Sequence, residues 1–173
     1  EYGTLYTGKE LEELSAVCRR YGLYLFLDGA RLGYGLAAAD NELNLPLIAR
    51  CCDVFYIGGT KVGALFGEAV VMSNEELKKD FRYLIKQKGG MLAKGRLLGV
   101  QFETLFEDDL YLEISRHADR LADKLREAFL EAGFPMLVES RTNQIFPIQP
   151  DTILEKLGHD YGYTWQERVD ETH

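Results

Sequence analysis

The sequence predicts an α/β fold, a mostly parallel sheet with flanking helices, and three observations carry that prediction. Residues 24–27 (YLFL) and Val54–Ile57 (VFYI) are short apolar runs, rich in aromatic or β-branched side chains. Each stops at glycine or one residue short of it, as buried strands of a parallel sheet do. The segments around them repeat apolar residues at helical spacing, and 173 residues are enough to bury a core of ordinary domain size.

The first helix is expected over residues 8–21. Thr7 with Glu10 three places on has capping-box spacing, Leu11, Leu14, Val17, Cys18 and Tyr21 form the apolar stripe, and Gly22 closes the helix. It crosses into the strand at 24–27. Residues 32–39 are Gly/Ala-rich, and within them Tyr34 is read as a packing residue, with a place facing a pocket as the alternative. Leu45–Cys51 can form a short helix, because Pro46 falls in its first turn, where a missing N–H does no harm. Past Lys61 the chain turns back in a hairpin-like return to a third buried strand, Ala69–Met72. Ser73 and Asn74 then cap a helix expected to run unbroken to Lys88, with Leu77, Phe81, Leu84 and Ile85 inward, until Gly89 and Gly90 stop it.

Residues 109–132 form the longest periodic stretch, with an apolar stripe through Leu110, Ile114, His117/Ala118, Leu121, Leu125, Ala128/Phe129 and Ala132. His117 on that stripe reads as a core or interface residue in preference to a catalyst. Gly133 and Pro135 end the helix. Residues 136–138 and 144–148 read as antiparallel strands and residues 152–157 as a helix.

A net charge of −8 disfavours nucleic acid or an anionic membrane as partner, since either needs a clustered basic face. No apolar stretch reaches the roughly 18 residues of a membrane span, and no signal-peptide pattern is present. The three cysteines, Cys18, Cys51 and Cys52, come without a C-x-x-C pair or histidines at ligand spacing. Neither a disulfide framework nor a metal site is therefore expected, and a reducing cytoplasm suits them.

Charged residues follow where each of the first two strands ends: Asp28 and Arg31 after one, Lys61 after the other. In open α/β sheets ligands bind outside the carboxyl ends of the strands, so these charges share one rim if the strands are neighbours. A lysine there, partly desolvated and near another cation, would act as a nucleophile toward a carbonyl. Pyridoxal phosphate (PLP) chemistry needs that set: a lysine to hold the aldehyde and an acid to keep the pyridine nitrogen protonated, so that the ring serves as an electron sink. Plainer readings stand beside it. Asp28-Gly29 is also a common turn pair, Arg31 could be a solvated charge, and Lys61 could cradle phosphate, although residues 58–63 lack the G-x-x-x-x-G-K-[ST] pattern.

The segments LFLDGARLGYGLA and DVFYIGGTKVGALFGEAVV, preceded by EYGTLYTGKELEEL, resemble the threonine aldolase and β-eliminating lyase branch of the fold-type I (aspartate aminotransferase-like) PLP enzymes. The resemblance puts the family's D-G-A-R on Asp28 to Arg31 and its Schiff-base lysine, which follows a Ser or Thr, on Lys61. It implies pyridoxal 5'-phosphate as cofactor. Asp28 would be the pyridinium partner, Lys61 the covalent anchor with Thr60 beside it, and Arg31 a ligand of the substrate carboxylate or the ring hydroxyl. It implies a lyase that cleaves the Cα–Cβ bond of a β-hydroxy amino acid such as threonine, giving glycine and an aldehyde. β-Elimination, transamination and a non-catalytic fragment are the alternatives.

A homodimer or tetramer is expected by the same likeness. Residues 1–132 would be the C-terminal half of the large PLP-binding domain, and residues 133–173 part of a small α+β domain. Because the chain begins at Glu1 in sequence that the family carries mid-domain, it is read as a fragment. Thr142-Asn143 resembles the family's T-N pair, and no role is carried over to Lys94 or Arg96.

Overall fold

Thr7 opens the first helix, α1 (Gly8–Arg20), as its spacing from Glu10 predicts: the hydroxyl accepts from the Glu10 amide at 3.2 Å while the Glu10 carboxylate accepts from the Thr7 amide at 2.8 Å. The structure, a computed structural model, describes residues 2–173. The chain continues through β1 (Phe26–Leu27), α2 (Leu32–Ala37), α3 (Leu45–Cys51), β2 (Val54–Ile57) and β3 (Ala69–Met72). It then passes through α4 (Glu75–Lys78), α5 (Phe81–Gln87), α6 (Arg96–Phe106), α7 (Leu110–Glu131) and α8 (Asp151–Leu157). Asn44 caps α3 by accepting from the Leu47 amide at 2.9 Å, with Pro46 in the first turn. Among the described residues no helix is long and apolar enough to cross a membrane.

The sheet has the order β1-β2-β3 and is mixed. β1 and β2 pair in parallel, with Phe26 opposite Val54, whereas β3 returns antiparallel to β2, with Tyr56 opposite Val70. Side chains alternate across a strand, so Leu27, Phe55, Ile57, Val71 and Ala69 share one face. Phe55 and Ile57 are buried there with Ile48, Val62, Leu105 and Tyr111 as the core. The opposite face carries Phe26, Val54, Tyr56, Val70 and Met72, and Phe26 and Val70 are 58% and 55% exposed.

The chain divides into two compact units, one of residues 5–117 and one of residues 2–4 together with 118–173. In the second, Ser140 donates to the Gly3 carbonyl at 3.1 Å and Tyr2 meets Phe146 edge-on at 5.4 Å. The strands expected at 136–138 and 144–148 shrink to one antiparallel bridge, Met136 with Pro147, plus the bonds Leu137 N–H to Phe146 at 2.8 Å and Ile148 N–H to Pro135 at 2.8 Å. Pro147 has no amide to donate, which stops a ladder from extending.

One other expectation is corrected. The helix expected to run from the Ser73-Asn74 cap to Lys88 is α4 and α5, broken where Asp80 takes the left-handed conformation at φ 58°. That conformation cannot continue a right-handed helix. On α7 the buried residues fall mostly off the apolar stripe. Tyr111, Ser115, Asp119 and Arg126 are buried, whereas His117 is exposed and Leu121 and Leu125 are each 52% exposed. Ser115 donates back to the Tyr111 carbonyl at 2.8 Å and Arg126 pairs with Asp123 at 3.0 Å, so these polar residues bring their own partners inward.

Asp119 is the exception. It is 5% exposed, and neither carboxyl oxygen has a hydrogen-bond partner. Burial pushes its carboxyl up to about 7; the Asn143 amide opposes this without reaching hydrogen-bond geometry, and Asp123 adds to the rise. A folded-state value above the unfolded one gives stability that is complete below about pH 4 and is lost as pH rises through about 7. Urea denaturation should therefore show roughly 2 kcal/mol less stability at pH 7.5 than at pH 5 from this group. Asp119→Asn should flatten that difference, and an equal slope in the variant would rule the assignment out.

Candidate active site

The turn after β1 and the turn after β2 meet through glycine. The Gly58 amide donates to the Gly29 carbonyl at 2.9 Å. A Cβ on Gly29 would stand 1.7 Å from the Tyr56 carbonyl oxygen, and one on Gly58 would stand 2.3 Å from that of Ala30. Only residues without a side chain let the two main chains approach this closely. The approach brings the Asp28 turn and the Lys61 turn to the carboxyl ends of adjacent parallel strands, the arrangement anticipated from the two sequence runs.

Asp28 is exposed, and its Oδ1 accepts from the Ala30 amide at 3.0 Å and, by a short hydrogen bond, from the Tyr56 hydroxyl. The Tyr56 bond, then the Ala30 amide, then the charges of Lys61 and Arg31 hold the Asp28 carboxyl below its ordinary value. Asp28 in turn pushes the Tyr56 phenol up to about 12, so that hydroxyl remains a donor. Arg31 stands at the start of α2, half-buried.

The Lys61 turn is held from several elements. Tyr111 of α7 donates to the Gly58 carbonyl at 2.8 Å, and Tyr34 of α2, buried, donates to the Lys61 carbonyl. Glu68, just before β3, accepts from the Gly59 amide at 2.7 Å and from the Thr60 hydroxyl at 3.2 Å. The Val62 and Ala64 amides close the turn on the Gly59 carbonyl, each at 2.9 Å. Gly33 makes room for this packing, since a Cβ there would lie 2.5 Å from the Ser115 hydroxyl. Lys61 itself is exposed, and among the described residues its amine has no hydrogen-bond or ion-pair partner. The desolvation expected of that lysine is absent.

Lys61 and Arg31 are thus each brought within electrostatic reach of Asp28, and Thr60 is turned toward Glu68. Sequence reasoning missed Tyr56, Glu68 and Tyr111. Tyr56 did leave a signal: it is a phenol next to the end of a strand read as buried, and a buried hydroxyl needs a partner. Glu68 and Tyr111 left none, because the partner of Tyr111 and the nearer partner of Glu68 are main-chain atoms of a turn.

A parallel strand pair that delivers a carboxylate and an unpaired amine to one rim has the layout of a fold-type I PLP enzyme. The chain belongs to the beta-eliminating lyase family, which it matches over residues 1–149. It is 34% identical over 161 residues to a low specificity L-threonine aldolase of Pseudomonas aeruginosa, covering 91% of this chain and 46% of that protein. The solved structure of a Leishmania major threonine aldolase superposes with a TM-score of 0.91 at 47% identity, covering 99% of this chain and 51% of that one. The chain thus spans about half the length of these relatives and lies in the threonine aldolase and β-eliminating lyase branch of the fold-type I enzymes, whose members depend on PLP.

Proposed function

We propose that this chain carries the cofactor-anchoring part of a PLP-dependent aldolase that cleaves a β-hydroxy amino acid such as threonine to glycine and an aldehyde. The observation that carries the reading is the glycine-mediated meeting of the Asp28 and Lys61 turns. The residues fit the group: Lys61 offers an unpaired amine to its aldehyde, and Asp28 offers an ionised carboxylate to its ring nitrogen. When bound, PLP supplies an electron sink for the pair released at Cα as the bond to Cβ breaks. Thr60 would bind beside the anchor, its hydroxyl oriented by Glu68. Arg31 would hold the substrate carboxylate so that the breaking bond stands across the ring plane, an orientation effect.

The reading extends to a homodimer or tetramer in the cytoplasm, in keeping with three free thiols, and to a division into residues 1–132 of a large domain and 133–173 of a small one. Product analysis tests the function. With PLP and L-threonine the expected products are glycine and acetaldehyde; a 2-oxo acid with ammonia would make the chain part of a β-eliminating enzyme instead, and amino-group transfer to an added 2-oxo acid would make it part of an aminotransferase.

A further inference from the structure

We infer that Tyr56 is a positioning residue for Asp28: by taking up Oδ1 it leaves Oδ2 as the one carboxylate oxygen presented to a ring N–H of the cofactor. The inference rests on the function proposed above. Both donors that reach Asp28, the Ala30 amide and the Tyr56 hydroxyl, converge on the same oxygen, and among the described residues Oδ2 receives none. Two donors on one oxygen fix the rotation of the carboxylate, which a single bond would leave free to flip. The phenol is itself held on three sides. Its main-chain carbonyl abuts Gly29, its ring packs against Phe26 at 5.9 Å, and its backbone is paired into β2 opposite Val70.

The charge logic agrees with the geometry. A carboxylate can hold a protonated pyridine nitrogen only while it is ionised, and hydrogen bonds donated to the charged form keep it so. Tyr56 is the larger of the two donors' contributions, ahead of the Ala30 amide. Its own hydroxyl is kept protonated by the same contact, so it cannot compete as a base.

Tyr56→Phe removes the hydroxyl and keeps the ring. In the cofactor-free protein, carbon NMR of the Asp28 carboxyl should then titrate at higher pH than in the wild type. PLP affinity should weaken by roughly tenfold, and the acid limb of PLP binding should move to higher pH. In an Asp28→Asn background the further change should add little, because the partner is gone. An unchanged Asp28 titration in Tyr56→Phe would overturn the assignment. Were that variant unfolded, the Tyr56 phenol in Asp28→Asn decides instead: it should titrate lower than in the wild type, and no change would overturn the inference. Failure of the wild type to bind PLP would sink the proposed function and the cofactor role of Oδ2 with it, whereas the hold of Tyr56 on Asp28 is decided separately, since both titrations are read without cofactor.

Discussion

Lys61→Ala should abolish covalent capture of PLP and lower aldol cleavage by a factor on the order of 1,000, while leaving the fold intact. The turn that carries Lys61 is held through its main chain and through Thr60, by Tyr111, Tyr34 and Glu68, and none of these contacts uses the lysine amine. An exposed side chain without partners can be truncated with a change of about 0.5 kcal/mol or less in stability. The two effects are therefore separable. Borohydride reduction followed by peptide mass analysis should find the cofactor on the Lys61 peptide in the wild type and nowhere in the variant. A reduced adduct in Lys61→Ala would move the anchor to another lysine.

Gly58→Ala should have a large effect on stability, at least about 3 kcal/mol. The added methyl would meet the Ala30 carbonyl oxygen at 2.3 Å and the Gly29 carbonyl oxygen at 2.6 Å, and both belong to the main chain of the Asp28 turn. Neither can rotate away as a side chain would. The strain is relieved only if the two turns separate, so any folded fraction should also bind PLP poorly. Gly99→Ala is the control: it lies within α6, and its methyl would meet nothing within 4 Å. Replacing a helical glycine at such a place is expected to be neutral or stabilising by up to about 1 kcal/mol. Matching urea midpoints for the two variants would remove the close approach from the account of the site.

These expectations stand on residues that differ in how visibly the sequence announced them. The rim residues Asp28 and Lys61 were legible because each closely follows a short apolar run that gives way to glycine, and parallel strands present their carboxyl ends together. The capping box of Thr7 and Glu10 was legible because both partners lie within one turn. Periodicity found α7 but not its covered face, where Leu121 and Leu125 stay exposed while Ser115 and Asp119 turn inward. A hydrophobic stripe reports which face is apolar, not which face a neighbouring element covers. The break at Asp80 was hidden for a related reason, since an aspartate tolerates left-handed geometry without glycine's visible signature. The Glu68 and Tyr111 clamps were invisible because turn amides and carbonyls look alike in every sequence.

The direction of β3 has a consequence for how this end of the sheet is furnished. Had that strand continued parallel to β2, the chain would have needed a crossover to the far end, and Glu68, which immediately precedes β3, would have been delivered there. Reversing direction lets one short excursion both display the lysine on its way out and bring back, on its way in, the acid that steadies it. Lys61 and the acid that braces its turn therefore travel together as a single local unit, while the carboxylate at residue 28 comes from a distant part of the chain.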